Sequence, residues 1–264
     1  MMRKNICLFF FLLYSIAGSA QHSEYLKNIF TDQSGHALPY RLLPPVHIEP
    51  NASYPLIIFL HGSGERGDEN ERQLIHGGKL FADSLRRINY PAYVLFPQCP
   101  KEMAWSSVNI DTSRYPLILS YDYLSAPEWP MTATNELIEY LSNNYRIDKS
   151  RIYLSGLSLG GMAVFEFVYR YPNLFAAALP ICGGGNEKQY DKRVRSVPFR
   201  IYHGDADKAV DVEESRQMVN RLKQLRCKVE YIEYPGVGHN SWNNAFADPE
   251  FLKWMFQQKR TKSK

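Results

Sequence analysis

The chain predicts an α/β fold in which a mostly parallel central sheet carries helices on both faces. Three observations lead there. Short, unbroken apolar runs alternate with stretches of helical periodicity; most of the runs end in glycine-bearing loops; and the chemically distinctive residues stand just beyond those ends. Buried parallel strands read as continuous hydrophobic runs because both of their faces are covered. Strand–helix alternation then favours right-handed crossovers onto one sheet. With 264 residues, 45% hydrophobic and 22% charged, the chain has the size and composition of one globular α/β domain, which excludes a disordered chain.

The elements follow in order. Arg3 and Lys4 precede the apolar run Ile6–Tyr14, and Ala17-Gly18-Ser19-Ala20 places small residues before Gln21. The run is too short to span a bilayer comfortably, so residues 1–20 read as a signal peptide cleaved before Gln21. No cysteine stands at the cut that could take a lipid. The expectation is a mature single domain over 21–264, secreted or periplasmic, with no membrane association after cleavage. Residues 21–35 are polar and read as a loose lead-in. Leu38–Leu43 has strand character and stops at Pro44-Pro45. Leu56–Leu60 and Ala92–Phe96 read as buried strands, the first running into His61-Gly62-Ser63-Gly64. A helix is expected near Thr132–Tyr145, a strand at Arg151–Leu154 and a helix at Gly161–Val168. Ala176–Ile181 and Pro198–Tyr202 read as strands, Val212–Leu225 as an amphipathic helix and Val229–Tyr234 as the last strand; Asp248-Pro249 opens a final helix.

Residues 98–130 stand apart. They lack convincing regular structure and far exceed the usual connection of ~4–6 residues. Trp105, Tyr115, Tyr121, Tyr123 and Trp129 lie within them. The segment reads as a lid or binding insertion, with a surface excursion packing its own aromatics as the alternative.

The formal charge of +4 includes Arg3 and Lys4. No basic stripe interleaved with aromatics is present, which argues against nucleic acid as a partner. Of the four cysteines, Cys7 leaves with the signal, and Cys99, Cys182 and Cys227 allow at most one bridge. No Cys-x-x-Cys, no His-Glu-x-x-His and no tight His/Cys cluster occurs, so neither a metal nor a cofactor is expected.

Gly156-Leu157-Ser158-Leu159-Gly160 is a G-x-S-x-G pentapeptide lying between a strand pattern and a helix pattern. So sharp a turn strains its central residue, and small neighbours let adjacent backbone pass. Ser158 is therefore the candidate nucleophile. A serine hydroxyl needs a base within hydrogen-bond reach and a group orienting that base. In this architecture the chain order is serine, acid, histidine. His239, in a glycine-rich loop after the last strand, is the candidate base; His203 falls before the acid and reads as structural. Among Asp205, Asp207 and Asp211, Asp207 is the candidate acid, with Asp205 capping a turn and Asp211 capping the next helix. The oxyanion hole is expected from the backbone N–H groups of Leu159 and Ser63, with Gly64 the competitor for the second. Trp105 and Trp242 are the candidate substrate contacts.

His61-Gly62-Ser63-Gly64-Glu65-Arg66-Gly67, Gly156–Gly161, His203–Asp207 and Gly238–Trp242 together resemble the α/β-hydrolase superfamily. More narrowly they resemble its secreted bacterial esterase branch, which includes feruloyl and acetylxylan esterases, polyhydroxybutyrate depolymerase-like proteins and predicted peptidases. The resemblance covers nearly the whole mature chain. It implies Ser158, Asp207 and His239 as a triad, Ser63 and Leu159 amides for the oxyanion, and a small-molecule or polysaccharide-linked ester as substrate. A serine peptidase with the same triad and a non-catalytic hydrolase-fold binding protein are the alternatives.

Overall fold

The computed structural model describes residues 24–260; the expected signal peptide lies outside them. Eight strands form the main sheet: β1 (Leu26–Thr31), β2 (Ala37–Leu43), β3 (Tyr54–Leu60), β4 (Tyr93–Pro97), then, beyond a small separate pair, β7 (Ile147–Leu157), β8 (Ala177–Ile181), β9 (Phe199–Gly204) and β10 (Val229–Tyr234). Their order is β1-β2-β4-β3-β7-β8-β9-β10. From β4 to β10 every neighbouring pair is parallel, while β2 runs antiparallel to both β1 and β4.

The period of two along each central strand divides the core into two layers. Leu56, Ile58 and Leu60 of β3 face one cluster, together with α3 (Trp129–Asn144), α4 (Leu159–Arg170) and α5 (Val212–Gln224). Ile57 and Phe59 face the other, under α1 (Gly78–Ala82), α6 (Trp242–Ala247) and α7 (Glu250–Phe256). A short helix, α2 (Ser84–Asn89), follows α1 and buries no residue of its own. Apolar side chains on both faces of the parallel strands explain why these strands were legible as unbroken runs.

Two expectations are corrected. The lead-in is not loose: β1 pairs with β2 in register from Leu26↔Leu42 to Thr31↔Ala37. An edge strand is held by its backbone ladder, so Leu26, Ile29 and Phe30 are scattered among polar residues and form neither a continuous apolar run nor an alternation. The 98–130 insertion also contains regular structure, the antiparallel pair β5 (Val108–Asp111) and β6 (Ile118–Tyr121). Its root is fastened to α4. Glu166, fully buried, accepts from Ser106 Oγ (2.6 Å), Ser107 N (2.6 Å), Ser107 Oγ (2.9 Å) and Arg170 Nε (2.7 Å). Among the described residues no helix is long and apolar enough to cross a membrane.

Candidate active site

Ser158 lies at the carboxyl end of β7, at the sharp turn into α4. Its backbone, φ 52° and ψ −118°, is a conformation L-residues rarely adopt and costs about 1–3 kcal/mol. Close backbone packing holds it there. A Cβ at Gly160 would collide with the Leu60 carbonyl and come within 2.7 Å of the His61 carbonyl; one at Gly156 would lie 2.6 Å from the Gly160 carbonyl. The two motif glycines therefore let β3, β7 and the start of α4 touch through backbone alone. Ser158 N–H donates to the Ile181 carbonyl (2.9 Å), which ties the turn to β8.

Asp207 and His239 arrive on the loops after β9 and β10. His239 Nδ1 lies 2.7 Å from Asp207 Oδ2 and His239 Nε2 2.9 Å from Ser158 Oγ. Asp207 Oδ1 accepts from the Ala209 and Val210 amides (2.8 and 3.0 Å). Burial alone would raise the carboxyl's pKa, but hydrogen bonds from His203, His239 and the Ala209 amide outweigh it and hold Asp207 well below the usual carboxylate range. An ionised Asp207 requires the proton on His239 Nδ1, which leaves Nε2 to accept from Ser158. Asp205 instead caps the Gly236 amide (2.6 Å), and Asp211 caps α5 through the Glu213 amide (2.9 Å), as expected.

His203 was expected to be structural, yet it touches the acid. Its Nε2 is 3.2 Å from Asp207 Oδ2 and 3.1 Å from the Val210 carbonyl. Its Nδ1 is 2.7 Å from Ser215 Oγ, which donates to the Gly183 carbonyl (2.9 Å). Asp207 thus carries a histidine on each side, one of them fully buried. His203-Gly204-Asp205-Ala206-Asp207 held the signal, four residues separating ring from carboxylate, but chain order alone could not reveal the contact.

The loop expected to supply the second oxyanion donor passes directly over Ser158. A Cβ on Gly62 would sit 3.6 Å from Ser158 Cβ and 2.8 Å from Leu157 Cδ1, so glycine is required for the close approach. The Gly62 amide is taken by Glu65 Oε2 (2.9 Å), whereas among the described residues the amides of Ser63 and Leu159 meet no acceptor. His61 supports this loop from beneath. Its Nδ1 lies 2.6 Å from the Gly62 carbonyl and its Nε2 accepts from the Cys99 amide (3.0 Å), which fixes the neutral Nδ1–H tautomer. Burial pushes its pKa down to about 4.

Two further residues escaped the sequence reading. Buried Glu65 also faces His76, Oε1 to Nε2 3.6 Å. The His76 ring lies 4.9 Å from that of Trp242, and Trp242 meets the His239 ring edge-on at 5.6 Å. Glu65, His76 and Trp242 thus bridge the loop after β3 to the histidine loop. The three-residue spacing of Gly62 and Glu65, a capping-box spacing, was the available signal.

Trp242 is half-buried beside His239. Trp105 is not placed to contact a substrate. Its side chain is fully buried and its Nε1 donates to the His61 carbonyl (3.1 Å), so it supports the loop from the core side. The two serines that follow it, Ser106 and Ser107, bond to Glu166. Cys99, Cys182 and Cys227 are free and buried. Among the described residues one set of metal-type donors gathers, Cys182, Asp207 and His239, with ligand atoms within 4.8 Å of one another. Asp207 and His239 are already bonded to each other, and burial raises the Cys182 thiol far above its ordinary pKa, so the set presents no free anionic thiolate.

A mostly parallel eight-stranded sheet, covered on both faces and carrying a strained serine above its strand ends, is the α/β-hydrolase fold. The chain matches the "Putative esterase" family over residues 38–184 and the "Phospholipase/Carboxylesterase" family over residues 126–254; it belongs to the first of these, whose match spans more than half its length. A solved thermostable esterase superposes with a TM-score of 0.81 at 35% identity, over 90% of this chain and 64% of its own. A bifunctional acetylxylan esterase/xylanase of Neocallimastix patriciarum is 28% identical over 199 residues, 75% of this chain and 25% of that protein. The chain therefore spans less than two thirds of either relative. The "Probable carboxylesterase SOBER1-like" of Arabidopsis thaliana is 25% identical over 229 residues, 78% of this chain and 80% of the relative.

Proposed function

We propose that the protein is a secreted serine carboxylesterase working through an acyl-enzyme. The observation that carries this reading is the hydrogen-bonded line from Asp207 through His239 to Ser158, ending on a serine whose backbone is held at φ 52°. Ser158 Oγ attacks the ester carbonyl carbon as His239 Nε2 takes its proton. The tetrahedral oxyanion is met by the amides of Leu159 and Ser63, and loss of one such donor costs about 2.7–4 kcal/mol. His239 then returns the proton to the departing alkoxide, leaving Ser158 acylated. A water activated by the same nitrogen releases the acid and restores the hydroxyl. Asp207 holds the imidazole in the productive tautomer and stabilises the imidazolium without taking a proton.

The natural substrates in this reading are acetyl or feruloyl esters on plant polysaccharide, the acetyl ester being supported by similarity to an acetylxylan esterase. Export through residues 1–20 would put the enzyme where such polymers are met. The test is a hydrolysis screen of the purified 21–264 protein on p-nitrophenyl acetate, methyl ferulate, acetylated xylan and small peptides, alongside fluorophosphonate labelling of Ser158. Ester turnover with labelling is expected. Peptide turnover in preference to ester would make it a peptidase, and neither turnover nor labelling would leave a binding protein.

A further inference from the structure

We propose that the open groove between α1, α2 and α6 receives the alcohol side of the ester, and that the alcohol it fits is a sugar chain. The proposal rests on the ester-hydrolase reading above. His239 Nε2 must hand its proton to the departing alkoxide, so the alcohol oxygen passes within hydrogen-bond reach of that nitrogen. The rest of the alcohol then extends over the surface bordering the histidine. That border is Trp242, and against Trp242 stands His76, which lines the groove.

The groove encloses about 550 Å³, within the range of small-molecule sites, and lies open to solvent. An open trough lets a chain continue past the reacting unit, which a closed pocket would forbid. Its lining suits a pyranose. Leu85 and Phe246 offer apolar surface to the C–H face of a ring, while Lys79, Asp83 and Asn243 offer both donors and acceptors to hydroxyls. Leu85 is 68% exposed and Lys79 and Asn243 are exposed, so apolar surface stands here without a partner from the fold. By contrast, a hollow of about 250 Å³ lined by Ile152 and Arg260 lies at the opening end of β7, away from Ser158.

The experiment compares kcat/KM on O-acetylated xylo-oligosaccharides of one to four units with kcat/KM on p-nitrophenyl acetate, for the wild type, Leu85→Trp and Lys79→Ala. Leu85→Trp fills the groove; Lys79→Ala removes a polar partner and leaves space. The ratio should rise about tenfold from one unit to four in the wild type, carried by KM. Leu85→Trp should abolish that rise and Lys79→Ala should weaken it, with melting temperatures close to wild type. A length-independent ratio in the wild type, or a rise untouched by both variants, overturns the groove assignment while leaving the esterase reading intact. Failure of the folded wild type to cleave any ester would overturn both.

Discussion

The nucleophile turn and the 98–130 insertion are neighbours held in opposite ways. At the turn, Gly156 and Gly160 bring backbone against backbone, with no room for a Cβ. The insertion is fastened by side chains: Glu166 grips Ser106 and Ser107, Asn186 Nδ2 donates to the Tyr121 carbonyl (2.8 Å), and the Tyr121 hydroxyl donates to Glu214 (3.1 Å). Steric exclusion accepts only glycine and so writes itself into a motif. Hydrogen bonds between distant polar side chains can be made by many residue pairs and leave no spacing to read. The serine turn is thus held by the rigid device and the insertion by the exchangeable one.

The comparison can be broken in several ways. Ser158→Ala and His239→Ala should each lower kcat by on the order of 10⁶-fold, with the double variant little worse, because the two act as one unit. Steady-state hydrolysis of p-nitrophenyl acetate measures it, and retention of a few per cent activity by a clean Ser158→Ala preparation would remove the triad. Asp207→Asn should cost about 10⁴ in kcat through the wrong imidazole tautomer. Asp205→Asn, which keeps an oxygen to accept from the Gly236 amide and loses only the charge, should act mainly on local stability; a reversal of the two would reassign the acid.

Glu166→Ala strands the Arg170 guanidinium and two serines, and should cost roughly 3–4 kcal/mol by urea denaturation. Its kcat on p-nitrophenyl acetate should stay within a few-fold, since Glu166 fastens the insertion and bonds none of Ser158, Asp207 and His239. Gly160→Ala should cost about 3 kcal/mol from overpacking and lose turnover as well, since the Leu60 and His61 carbonyls must retreat. If Gly160→Ala kept activity and Glu166→Ala lost it, the assignment of rigid and exchangeable roles would be inverted.

The smallest effect is a pH dependence of the loop after β3. Burial depresses the His61 pKa to about 4 in the folded protein, below its ordinary 6.5. The unfolded chain therefore binds the proton first as pH falls. The stabilisation is complete above about pH 6.5 and is lost as pH drops toward 4. Melting temperature should decline by a few degrees across that window, and His61→Gln should flatten the decline.

Much of this was legible beforehand, for identifiable reasons. β3, β4, β8 and β9 were read to within a residue or two because strands covered on both faces are rich in apolar residues, and β10, an edge strand, was read with the bounds it has from its β-branched and aromatic residues. Ser158, Asp207 and His239, named from spacing and chain order, do come together in one hydrogen-bonded line. β1 and the β5–β6 pair were missed because edge and surface ladders are satisfied by backbone groups that every residue carries. Trp105 was misjudged because an aromatic flanked by small residues looks the same from sequence whether it faces a ligand or the core. Glu65 and the His203 contact had short spacings that could have been read, three residues to Gly62 and four to Asp207, whereas the contacts of His76 with Glu65 and Trp242 join residues far apart in the chain.

Of the four tryptophans, Trp242 is the one seated edge-on to His239. A protonated imidazole quenches indole emission by electron transfer, whereas a neutral ring does so far less. In the cycle proposed above, His239 is charged and discharged once in acylation and once in deacylation, which would make Trp242 an optical reporter beside the moving proton. With Trp105, Trp129 and Trp254 replaced by phenylalanine, stopped-flow fluorescence of the remaining indole would follow that proton in real time, without a chromogenic leaving group.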